Sequence, residues 1–139
     1  MSRCSTAACL LAFVLATTAG CGDDETPTTP TQPSVPDVTE TFSGTVNRNG
    51  ADTHDFTVAR SGLMRATLTT LAPDSTLVIG MSLGTWNGTT CQIVLANDNA
   101  TLNAQVTGNA GSAGRFCVRI YDVGNITDTV DYQVTVVHF

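Results

Sequence analysis

The chain has 139 residues, 42% hydrophobic and 13% charged, enough apolar material for one small domain and too few residues for two with separate cores. Its six basic residues are all Arg, at 3, 48, 60, 65, 115 and 119, against twelve Asp and Glu, a net charge of −6. No basic stretch is available to track a phosphate backbone, which argues against nucleic acid as a partner.

In chain order, the first segment is an address. Arg3 supplies one positive charge and residues 7–16 (AACLLAFVLA) form a ten-residue apolar run, short of the ~20 residues a spanning helix needs and suited to a signal-peptide core. Small residues Thr17, Thr18, Ala19 and Gly20 precede Cys21, and Gly22, Asp23, Asp24 and Glu25 follow it. This resembles the lipobox of bacterial lipoproteins, with Thr18 standing where that family usually carries Leu. The resemblance implies removal of residues 1–20 and a diacylglyceryl group on Cys21. Two or more acyl chains there would hold the protein on a membrane. The alternative is ordinary cleavage after Ala19, leaving Cys21 a free thiol.

Residues 21–40 read as a lipidated Cys and a linker rich in Pro, Thr and Asp. Pro27, Pro30, Pro33 and Pro36 recur every third residue, which favours polyproline II. At ~3.1 Å per residue the segment from Gly22 to Glu40 reaches up to roughly 60 Å from a membrane.

From Thr41 to Phe139 the chain changes character. Short segments rich in Thr, Val, Ile, Leu and Phe are punctuated by Gly, Asn and Asp about every ten residues, the signature of an all-β sandwich or barrel. The pattern predicts strands near residues 41–48, 53–60, 63–70, 76–83, 91–96, 101–107, 115–122 and 130–138, and no helix. Period-two alternation assigns inward faces to Phe56 and Val58, to Met64, Ala66 and Leu68, to Leu77, Ile79, Met81 and Leu83, to Leu102, Ala104 and Val106, to Phe116, Val118 and Ile120, and to Tyr132, Val134 and Val136. Asn49 with Gly50 predicts a type I′ hairpin, Ser61-Gly62 and Pro73-Asp74 tight reversals, and Asn97-Asp98-Asn99 a loop that tolerates left-handed backbone. Eight antiparallel strands suit a jelly-roll-like sandwich.

Cys4 and Cys9 lie in the signal, leaving Cys91 and Cys117 inside the domain. Both flank predicted strands, and an exported protein meets an oxidising compartment, so a disulfide is expected. In the chain-entropy model it contributes about 3.5 kcal/mol. A two-Cys metal site is the rival, although no characteristic spacing supports it.

The run Asp55-Phe56-Thr57-Val58, the Ser61-Gly62 turn, Ala66-Thr67-Leu68-Thr69 and Leu77-Val78-Ile79-Gly80, followed by residues 114–122 (GRFCVRIYD) and 132–136 (YQVTV), resembles a bacterial pre-peptidase C-terminal domain (PPC-like). The resemblance spans residues 41–139. It implies a β-sandwich used as an extracytoplasmic accessory or adhesion module, here on a lipid anchor. Related collagenase modules bind collagen and calcium, but no positions here match such a site.

The catalytic inventory is thin. His54 and His138 are the only histidines, neither sits in a metal-ligand motif, and no nucleophile elbow or phosphate-binding glycine loop is present. His54 and Asp55 are adjacent and so face opposite sides of a strand, making a half-buried strand histidine the expectation. Asp98, Asp122, Asn125 and Asp128 offer hard oxygen ligands for calcium, but without EF-hand spacing they equally suit turns. No metal and no cofactor are expected. The sole tryptophan, Trp86, beside Asn87 in a Gly-rich loop, has the makings of a sugar-stacking platform, though such a Trp also serves to cap a core. The residues therefore point to a non-enzymatic, membrane-anchored module that binds an envelope or extracellular protein. A carbohydrate- or matrix-binding module using Trp86 and Asn87 is the alternative.

Overall fold

The structure, a computed structural model, describes residues 37–139. Cys21, the expected signal segment and most of the expected linker lie outside the described residues. Eight strands follow in order: β1 (Val38–Val46), β2 (Ala51–Val58), β3 (Gly62–Ala72), β4 (Ile79–Trp86), β5 (Cys91–Ala100), β6 (Gln105–Ala110), β7 (Gly114–Tyr121) and β8 (Val130–His138). Among the described residues no helix forms. β1 starts at Val38, so the last three residues expected in the linker belong to the sheet.

Two four-stranded antiparallel sheets result, in the orders β1-β8-β3-β6 and β2-β7-β4-β5. The first strand pairs with the last, the second with the seventh, the third with the sixth, and β4 with β5. This nesting is what a long antiparallel ribbon produces when it wraps around a core, and it is the jelly-roll sandwich.

The expected inward faces close the core. Phe56, Val58, Met64, Ala66, Leu68, Ile79, Met81, Leu83, Val118, Ile120, Tyr132, Val134 and Val136 are all buried. β4 is unusual in being buried on both faces from Ile79 to Gly84. Its outward positions are Gly80, Ser82 and Gly84, small enough for neighbouring groups to lie across them. Ser82 Oγ is buried without a hydrogen-bond partner. An unmet buried hydroxyl costs about 1–3 kcal/mol, so Ser82→Ala is expected to leave the protein equally stable or up to about 1 kcal/mol more stable, read from its urea unfolding midpoint.

The turns differ from the simplest expectation. Asn49 has φ 57°, and Gly50 N donates to Asn47 O at 2.8 Å, but Gly50 has no positive φ and β1 and β2 lie in different sheets. A type I′ hairpin is therefore replaced by an inter-sheet turn with Asn at its third position, the place a type II turn requires positive φ. The same device recurs where Ala104 N donates to Thr101 O with Asn103 at φ 68°. Asn97, Asp98 and Asn99 are strand residues of β5 rather than a loop, and Leu102 and Ala104 pack against the core from the turn that follows. β4 begins at Ile79 because Asp74 Oδ1 takes the Thr76 N–H and hydroxyl at 2.8 and 2.7 Å, holding that stretch in a turn.

Candidate functional site

The disulfide expected between Cys91 and Cys117 is present, with the two Cα atoms 5.8 Å apart. It joins β5 to β7, and these strands are separated by β4. Strands two places apart normally lie roughly 9–10 Å from one another, twice the ~4.8 Å spacing. The bridge thus draws the start of β5 across the outer face of β4, and Gly84 is where it crosses. A Cβ on Gly84 would lie 2.2 Å from the Gln92 carbonyl oxygen and 2.7 Å from its carbon. Only a residue with no side chain permits that approach.

Beyond the crossing, β5 continues as the edge of its sheet and carries three of the five exposed large apolar side chains among the described residues, Val94 at 68%, Ile93 at 49% and Leu95 at 39%, the others being Leu63 on β3 and Val38 on β1. The register against β4 shifts between Leu83 and Gly84, where Leu83 faces Leu95 and Gly84 faces Ile93. The shift leaves Val94 as an extra residue. Leu95 accordingly follows Leu83 to the inner face, Ile93 follows Gly84 to the outer face, and Val94 joins Leu95 on the lip of a cleft. That cleft, about 290 Å³, opens between the two sheets at the β5 and β6 edges, and Met64, Leu83, Val94, Leu95, Gly108 and Phe116 are among its walls. No charged residue lines it. β6 presents Val106, Gly108 and Ala110 inward, and the missing side chain at Gly108 keeps the space between the sheets unfilled.

The opposite side of the sandwich is closed by polar pairs. Tyr132 hydroxyl donates to Asp52 Oδ2 at 2.7 Å and lies 2.7 Å from His54 Nε2, whose N–H it accepts because its own proton is committed. Phe42 stacks on His54 at 5.0 Å. Burial, together with the Asp52 carboxylate, pushes the Tyr132 hydroxyl far above the usual phenol range, so it stays protonated and serves as the donor to Asp52. His54 is half-buried, as expected, and the neighbouring Asp55 points to the other face and pairs with Arg115. His138 is buried, with Nε2 2.8 Å from Glu40 Oε1 and Nδ1 3.2 Å from Phe139 O. Tyr132→Phe strands the Asp52 and His54 polar atoms in a half-buried site. It is expected to cost about 2 kcal/mol in urea unfolding, with the backbone unchanged by circular dichroism.

The acidic loop residues are likewise engaged. Asp122 Oδ1 accepts the Gly124, Asn125 and Ile126 N–H groups at 2.7, 2.9 and 3.1 Å, and Oδ2 accepts Asn49 N–H at 2.8 Å. Partial burial opposes ionisation, but these four donors outweigh it and hold the Asp122 carboxyl below the usual carboxylate range. Asp122 thereby fastens the loop before β8 to the β1–β2 turn. Asp98 accepts the Tyr121 hydroxyl, whose pKa burial and that bond push up to about 12. Asp98, Asp122 and Asn125 do line one open hollow, while Asp128 lines another with Asp74. Among the described residues no three His, Cys, Asp or Glu side chains are grouped to hold a metal ion. A group with a depressed folded pKa stabilises above its unfolded pKa of ~3.9, and that contribution is lost as pH falls through the lower folded value. Asp122→Asn is therefore expected to cost about 1 kcal/mol at neutral pH, the low end for a largely exposed carboxylate. Thermal unfolding scans should show the gap from wild type closing as pH falls below about 4.

Trp86 is the last residue of β4, half-buried and paired with Cys91. Asn87 Oδ1 accepts the Thr89 and Thr90 N–H groups, and Nδ2 donates to Thr90 Oγ1 at 2.9 Å, so its amide works inside its own turn. The apolar β5 edge, absent from the sequence expectations, carried a signal: Ile93, Val94 and Leu95 are three consecutive large apolar residues in a domain whose other strands alternate. No protein-family model matches the chain, and a search of curated proteins returns no match.

Proposed function

We propose that this protein is a lipid-anchored, non-enzymatic module of the bacterial envelope, PPC-like in its folded part, that binds another envelope or extracellular protein through the β5 edge. The observation that carries the proposal is the exposed apolar run Ile93, Val94 and Leu95 beside an apolar cleft on an otherwise Thr-rich surface. Exposed contiguous apolar surface of this kind marks interaction sites. The disulfide supports an oxidising, extracytoplasmic location, and the acylation signal at Cys21 supports the anchor. The polar clusters support a structural part for the histidines, since their partners are already satisfied. The glycan alternative draws no support from Asn87, whose amide is spent on its turn.

The test combines mass spectrometry of Cys21 with photo-crosslinking in intact cells from a benzoylphenylalanine placed at Val94. A diacylglyceryl thioether on Cys21 and a reproducible adduct with one identified protein are expected. An unmodified thiol would end the lipoprotein part, and the absence of adducts from Val94 and from control positions on other strands would end the binding part.

A further inference from the structure

We infer that the free edge of β5 receives an extended, uncharged segment of a partner polypeptide as a fifth strand of its sheet, with one bulky apolar side chain of that segment seated in the inter-sheet cleft. The inference rests on the reading of the protein as a partner-binding module and names the chemistry of the partner.

Four strands end the two sheets: β1, β6, β2 and β5. β1 carries Glu40 and β2 carries Asp52 and Asp55, charges of the kind that discourage a second chain from pairing with an edge. β6 is uncharged but turns only Gln105, Thr107 and Asn109 outward. β5 has neither charge nor proline from Cys91 through Asn97 and, among the described edges, is the one with a consecutive run of exposed large apolar side chains, whereas β1 exposes a single one, Val38, at its start. Backbone pairing along such an edge supplies affinity, and a pocket for an alternate side chain supplies selectivity.

The cleft sets that side chain. An apolar cavity of about 150 Å³ accommodates a benzene ring, and this one, about 290 Å³, has room for an indole or a large aliphatic group. Its walls offer no counter-charge, so a charged group entering it would lose hydration without compensation.

Two occupants from the chain itself fit poorly. In a symmetric pairing of β5 with a second copy, Val94 and Leu95 of each copy already line their own cleft and Ile93 points to the outer face. No bulky side chain is left to fill the neighbour's. The linker over residues 22–36 has no aromatic residue, and Pro27, Pro30, Pro33 and Pro36 cannot donate to a strand ladder.

The experiment uses the full chain in lipid nanodiscs and fluorescein-labelled, capped heptapeptides of alternating threonine and valine, with tryptophan, alanine or glutamate at the centre. Fluorescence anisotropy is expected to show the tryptophan peptide binding at least tenfold more tightly than the other two. Gly108→Leu is the blocking variant. A Cβ there crowds only the flexible end of Leu95 at 2.9 Å, with Met64 and Leu83 at ordinary contact distances of 3.5 and 3.9 Å, so the larger side chain is expected to fill the cleft with the fold retained, checked by circular dichroism. It should erase the tenfold preference, as should Val94→Asp on the exposed lip, which covers the case of a misfolded Gly108→Leu. Equal binding of all three peptides, no binding of any, or an unchanged preference in both variants overturns the inference. So does a dimer in sedimentation that crosslinks through Val94→Cys to a second copy. Cellular adducts from the β1 or β2 edge, with none from Val94, would sink this inference and the assignment of the β5 edge while leaving the protein a partner-binding module.

Discussion

Replacing Cys91 and Cys117 together by serine is expected to lower stability by about 3.5 kcal/mol, the loop-closure entropy for a sequence separation of 26. For a domain of this size that corresponds to a fall of roughly 14–28 °C in the thermal midpoint. The loss is large against the 5–15 kcal/mol typical of whole domains. The bridge also has a geometric task, because it holds the start of β5 over β4 and so fixes where the exposed run from Ile93 to Leu95 emerges. The double serine variant should therefore lose order first in β5. Hydrogen exchange would show it as weakened protection of residues 92–96 relative to β3 and β8, which form the centre of the other sheet. Uniform loss of protection across both sheets would show that the bridge acts on global stability alone.

Gly84→Ala is expected to cost about 3 kcal/mol, the upper end for overpacking. The added methyl meets the Gln92 backbone at 2.2 Å, and a backbone segment does not move aside as a flexible side chain does. β5 has to lift away from β4, yet the bond from Cys91 to Cys117 holds it down. The two effects are coupled, so the same substitution in the serine background should cost only about 1 kcal/mol, where β5 is free to shift. A double-mutant cycle in urea measures the difference directly. Equal costs in both backgrounds would mean that Gly84 is needed for a reason other than the crossing strand.

Both effects depend on features with different visibility in the chain. The pairing of Cys91 with Cys117 is accessible because reading residues 1–20 as a signal and Cys21 as an acylation site sets three cysteines aside, and the export which that reading implies favours joining the two that remain. Gly84 carried no such mark, since its neighbour in space is fixed by a bridge between strands two places apart. Asp122 shows the same limit from the other side. An Asp near Asn125 and Asp128 has the composition of a cation site and of a loop clasp alike, and only the arrival of four backbone N–H groups, one of them from Asn49 in the β1–β2 turn, distant in sequence but adjacent in the sheet, distinguishes them.

Strand identity and inward faces were legible because alternation is local: a strand presents Met64, Ala66 and Leu68 to one side whatever its neighbours are. Trp86 reads as a loop residue because Gly84 and Gly88 look like loop residues, while in the fold Gly84 is a strand position thinned to let β5 pass. Asn49-Gly50 has the composition of a hairpin, but β2 pairs with β7, and a turn takes its type from the strands it joins. What residue order determined on its own was the set of eight strands, the buried faces of most of them and the expectation that Cys91 joins Cys117, all consequences of short-range periodicity and of counting cysteines. What only the tertiary structure decided was the nesting of β1 with β8 through to β4 with β5, and hence which edge lies bare. Edge exposure and the cleft at Gly108 are properties of how two sheets meet, and the side chains that leave that cleft open come from strands distant in sequence.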